Sequence, residues 1–130
     1  MELTDTALLE YLHDAVVLSI SYHAEESRDR IILLVVTCDR EAGYSPWEGK
    51  RLCIRLDDVI VANHYVFGAV AGQEQVNAWG TKLSASMEGE IQRIQATGIN
   101  CTGIAFSLTF HTGSYLEGMC RRLFVELDHV

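Results

Sequence analysis

Hydrophobic and polar positions alternate along much of this chain. In residues 15–23, Val16, Leu18, Ile20 and Tyr22 share one side, and Val17, Ser19, Ser21 and His23 share the other. That period of two predicts a strand with one well-buried face. Residues 24–30 form a charged link, and the β-branched run 31–37 follows. An unbroken apolar run of this kind predicts a central strand or one covered on both sides. So short a polar link predicts that the two strands form an antiparallel hairpin. Ahead of them, Leu8, Leu9 and Leu12 make one apolar stripe, so residues 4–12 read as a short helix capped by Thr4, Asp5 or Thr6.

Residues 38–50 hold Gly43, Pro46 and Gly49 and predict a long loop. Alternation resumes at 50–57, with Leu52, Ile54 and Leu56 inward. A bend is expected near Asp57-Asp58, a turn at Asn63-His64 and a further strand over 65–71. From 73 to 96 the pattern changes. Val76, Trp79, Leu83, Met87, Ile91 and Ile94 recur at spacings of three and four residues, a helical stripe. Gly80 and Gly89 interrupt it, each at a cost of about 1 kcal/mol in a helix interior. The expectation is one imperfect helix, or a helix to about Ser86 and then a separate element, with 90–95 readable as helix or strand. The clearest strand is 102–111, with Ile104, Phe106, Leu108 and Phe110 facing the core. A turn at Thr112-Gly113-Ser114 leads into 115–127, where Leu123, Val125 and Leu127 alternate inward, giving a second hairpin. The predicted fold class is α+β: one domain over residues 1–130, mainly an antiparallel sheet of five to seven strands. One short and one longer helix accompany the sheet, giving either a sheet with helix packed on it or a partly closed sandwich.

Composition narrows the function. Ten Lys and Arg against 18 Asp and Glu give a formal charge of −8, which disfavours nucleic acid as a partner. The longest apolar run, residues 31–36, is too short to span a membrane. The acidic start lacks the positive region of a secretory signal, so a cytoplasmic location is expected. Four widely spaced cysteines then read as free thiols.

Candidate chemistry is sparse. There is no glycine-rich phosphate loop, nucleophile elbow or paired-ligand metal motif. The five histidines and four cysteines are scattered, so neither a metal nor a cofactor is expected. His111 and Glu117 flank a turn and read as a hairpin ion pair. Asp57-Asp58 reads as a bend, and Arg121-Arg122 as a balance to the acidic field. Two groups remain. Tyr44 and Trp47 lie among Asp39, Glu41 and Glu48, an acidic and aromatic loop that either anchors onto the core or offers hot-spot residues to a basic protein. Trp79 and His111, with Tyr44 and Trp47, are the residues to line a ligand pocket on the sheet.

The segments Leu12-His13-Asp14-Ala15-Val16-Val17 and Leu108-Thr109-Phe110-His111-Thr112-Gly113-Ser114, followed by residues 120–127, resemble small uncharacterised bacterial proteins. Some of these are grouped with the immunity proteins of contact-dependent or polymorphic toxin systems. The resemblance implies a cytoplasmic α+β protein that binds and neutralises a toxin without catalysis. The leading expectation is therefore a non-enzymatic domain that binds a basic protein. A small-ligand pocket or minor enzyme is the second expectation. A structural homodimer joined through an open sheet edge is the third.

Overall fold

The computed structural model describes residues 1–24, 30–38, 47–66 and 74–128. Its architecture is α+β, built on one seven-stranded antiparallel sheet. Strand β1 (Glu2–Leu3) precedes a 3-10 helix (Ala7–Leu12). Strands β2 (Val16–Ala24), β3 (Arg30–Thr37), β4 (Arg51–Tyr65) and β5 (Val76–Gly80) follow. Helix α1 (Ala85–Ala96) comes next, then β6 (Ile104–Phe110) and β7 (Tyr115–Leu127). The strand order is β2-β3-β4-β7-β6-β5, with β1 also paired to β7. Both expected hairpins form, β2 on β3 and β6 on β7.

The sheet curls until its outer strands meet. Asp14 N donates to Val76 O at 2.7 Å, Val76 N to Ala15 O at 2.9 Å and Val17 N to Glu74 O at 2.8 Å. A bridge between Val16 and Gln75 lies among them. This seam joins the start of β2 to β5 and encloses one continuous core. Leu34, Val36, Ile54, Leu56, Val76, Phe106, Leu108, Leu116 and Leu123 are all completely buried in it. Leu9 and Leu12 of the 3-10 helix belong to the same cluster. Ser84 caps α1 by accepting from Met87 N at 3.1 Å. Only Met87 of that helix is buried.

Several expectations need correction. Residues 76–80 are a strand, and the helix begins at Ala85 rather than ending near Ser86. The stripe from Val76 to Ile94 runs across two elements. Val76 and Trp79 sit opposite Phe110 and Leu108, and pairing with β6 outweighs a helical spacing that holds just as well by coincidence. In β2 a register shift between Val17 and Ser19 breaks the alternation. Val17 turns into the core, leaving Leu18 and Tyr22 exposed. The N-terminal helix is shorter than expected and of the 3-10 type; of the expected caps, Asp5 Oδ1 accepts from Ala7 N at 2.9 Å, while Thr6 makes no side-chain cap. Asn63 and His64 do not turn but pair with Glu117 and Leu116 inside β4. The further strand expected over 65–71 lies, beyond Val66, outside the described residues. The bend at Asp57-Asp58 is present: Asp58 has φ +50° within a strand that continues through it. Leu127 is exposed, so the inward alternation of β7 ends at Val125.

Candidate functional site

Three groupings of side chains stand out among the described residues. The first lies on the seam. Asp14 follows the 3-10 helix with φ +67°, a left-handed conformation that aspartate tolerates better than most residues. Its backbone N–H is held by Val76 O. His111 starts the β6–β7 turn and is held in turn by Gln75 O at 3.0 Å. These anchors bring His111 Nε2 to 2.5 Å from Asp14 Oδ1 and His13 Nδ1 to 3.2 Å from Asp14 Oδ2. The two imidazole rings meet edge-on, with centroids 5.6 Å apart. One carboxylate therefore sits between two imidazoles, and all three side chains are exposed.

The second lies where the β2–β3 hairpin parts from β4. Pairing of β3 with β4 runs only as far as Ile32 opposite Leu56. Beyond it β4 bends at Asp58 and follows β7, which leaves a cleft of about 280 Å³. Ile32, Val59, Ile60 and Val61 supply apolar wall, and Arg30 also lines it. Tyr22 and His64 cross the gap, the phenol hydrogen-bonded to His64 Nδ1. With Nδ1 accepting, the neutral ring carries its proton on Nε2. Burial lowers the His64 pKa, and the charge of Glu74 partly offsets this. Burial also raises the Tyr22 pKa.

This shift has a definite sign. A histidine whose pKa is lower in the folded chain supports folding fully above its ordinary value near 6.5. That support is lost as pH falls through 6.5 toward the lowered value. The stability gap between wild type and His64→Gln should therefore shrink between about pH 7 and pH 5. Urea unfolding midpoints measured across that range check it, and a gap that widens on acidification contradicts it.

The third is a polar cleft of about 290 Å³ beside α1. Glu117 is buried there and accepts from Ser84 Oγ at 2.5 Å. The expected His111–Glu117 pair does not form. Adjacent β7 register points Glu117 toward α1, while His111 is drawn to Asp14 across the seam.

The other sequence candidates fall as follows. Trp47 is buried in the core. Glu48 is exposed beside it. Asp39, Glu41 and Tyr44 lie outside the described residues. Trp79 is buried toward the far end of β5 from the seam and lines neither cleft. It does not meet His111 to make a pocket, because the two belong to opposite ends of the β5–β6 pairing: Trp79 faces Leu108, and His111 lies beyond Phe110. Asp57 is paired with Arg55 and Arg122, and Asp58 with Arg121 at 3.2 Å, so the basic pair does balance local acid. All four cysteines are free, and burial pushes Cys38 up to about 11 and Cys120 up to about 12.

Sequence reasoning missed Tyr22, His64, His13 and Asp14 as site residues. Tyr22 and His64 carried no signal, since they meet only in the folded chain, beyond the end of the β3–β4 pairing. Among the described residues, no helix is long and apolar enough to cross a membrane. No family model matches this chain, and no curated protein or solved structure matches it either.

Proposed function

We propose that this chain is a non-enzymatic binding domain that takes a small, largely apolar anion in the cleft between the β2–β3 hairpin and β4. The observation that carries this reading is the cleft itself. It has apolar walls, a volume of about 280 Å³ and a few converging polar groups, Tyr22, His64 and Arg30. Small-molecule sites have this composition, and this volume lies just below their usual range of about 300–1,000 Å³. Arg30 supplies a cation for the anionic group in a chain of net charge −8. The Tyr22–His64 pair supplies a donor and an acceptor to a ligand that displaces one partner from the other. A basic protein partner rests instead on Asp39, Glu41 and Tyr44, outside the described residues, and buried Trp47 lends it no support.

The test uses anilinonaphthalene sulfonate, an apolar anionic dye, with Ala62→Phe. Ala62 lines the cleft and is exposed, so the larger ring fills the cleft from its solvent side. Saturable one-to-one dye binding to wild type, lost in a variant with an unchanged melting temperature, is the expected result. Equal binding to both proteins overturns the proposal.

A further inference from the structure

We propose that His13, Asp14 and His111 form a binding site for one divalent transition-metal ion of the zinc class. The site is independent of the cleft and does not rest on its function. Imidazole nitrogen and carboxylate oxygen are the ligands that zinc and its neighbours favour, at about 2.0–2.2 Å. Each of the three residues offers one such atom, and these atoms all lie within 4.8 Å of one another. An ion among them would draw these atoms closer together, to the bonding distances of such a site.

The backbone is set in advance. Asp14 N is bonded to Val76 O and His111 N to Gln75 O, so both ligand-bearing segments are fixed on adjacent residues at the start of β5. Side-chain exposures of 59% for His13, 48% for Asp14 and 38% for His111 leave a path for the ion and room for water in the remaining positions. Two histidines and one carboxylate with open positions is a recurrent donor set for such ions. His111 and Asp14 are 97 residues apart in the chain, so the ion would clasp the two sides of the seam. Binding only to the folded state would then raise the melting temperature.

The test titrates the full chain with zinc and with cobalt(II), reading stoichiometry by calorimetry and coordination by cobalt absorption. One ion per chain and a higher melting temperature are expected. Asp14→Asn and His111→Gln should each weaken uptake by at least about 10-fold, a scale that even supporting groups around a ligand reach. Asparagine also tolerates the left-handed backbone at this position, so Asp14→Asn retains the turn. His23→Ala and Cys53→Ser, both outside the cluster, should bind as wild type does. If a variant fails to fold, imidazole nitrogen resonances of the wild type serve instead: zinc should shift those of His13 and His111 and spare those of His23 and His64. No uptake, uptake indifferent to Asp14→Asn and His111→Gln, or a thiolate charge-transfer band in the cobalt spectrum each overturns the proposal and leaves surface ion pairs only.

Discussion

Replacing Gly118 with alanine is expected to destabilise the fold by about 3 kcal/mol, the upper part of the range for overpacking a filled interior. A Cβ placed there would lie 2.1 Å from Val61 O and 2.8 Å from Ala62 Cα. Both are backbone atoms of β4, and neither can swing aside. The crowding has a local origin: the β4–β7 register shifts between Val59 and Val61, next to where Ala62 faces Gly118. Phe106, directly opposite Gly118 on β6, covers the position that a side chain would otherwise fill. Its Cζ is 3.0 Å from the added Cβ, but trimming it with Phe106→Leu should not rescue the variant, because the backbone clash remains. Urea unfolding of the single and double variants checks both statements. The midpoint of Gly118→Ala should fall with little change in slope. Gly89→Ala is the control of opposite sign. Nothing lies within 4 Å of a Cβ there, and alanine is the better helix former.

Cutting Leu9 and Leu12 together to alanine should have the largest effect of all. Each side chain is completely buried, and Leu→Ala at such sites costs about 2–5 kcal/mol. The pair then removes an amount comparable to the whole stability of an ordinary domain, about 5–15 kcal/mol. Beyond these two side chains, the 3-10 helix is held chiefly by local hydrogen bonds, such as Ala7 N to Asp5 Oδ1 at 2.9 Å. It spans six residues, and its Thr6 cap makes no side-chain hydrogen bond. Its core contacts also position Asp14 and Ala15, which carry the seam bonds to Val76. In single variants, amide exchange at Val17 and Val76 should accelerate before that of Leu34 or Ile54 in the central strands. A loss below about 0.5 kcal/mol for the double variant, the usual scale of surface changes, would show that residues 7–12 merely lie against the outside.

The alternating segments carried most of the fold in plain view. Phe106, Leu108 and Phe110 face inward as their period-two spacing requires, and so do Leu52, Ile54 and Leu56. The two hairpins follow from short polar links between such segments. Where local pattern and pairing disagreed, pairing prevailed. The spacing of Val76 and Trp79 fits a helix, but the open edge of β6 offers a ladder of backbone hydrogen bonds, which no intrinsic propensity of a few tenths of a kcal/mol can match. The shift in β2 was hidden for a related reason: a bulge depends on the partner strand, and a single strand's alternation holds no record of it.

Site residues were less legible. His13, Asp14 and His111 are ordinary polar residues when read in line, and the sheet's curl alone brings the two ends of that set together. Tyr22 and His64 meet beyond the end of the β3–β4 pairing, where β4 has bent at Asp58. The sequence by itself determined an antiparallel α+β chain with an apolar inner face and an acidic exterior, because the period of hydrophobic residues decides which side of each strand leaves water. The tertiary structure alone decided the closure of the sheet, the place of residues 76–80 in it and every grouping of polar side chains. Those depend on contacts between residues far apart in the chain, and no local spacing encodes where two bent strands will bring them.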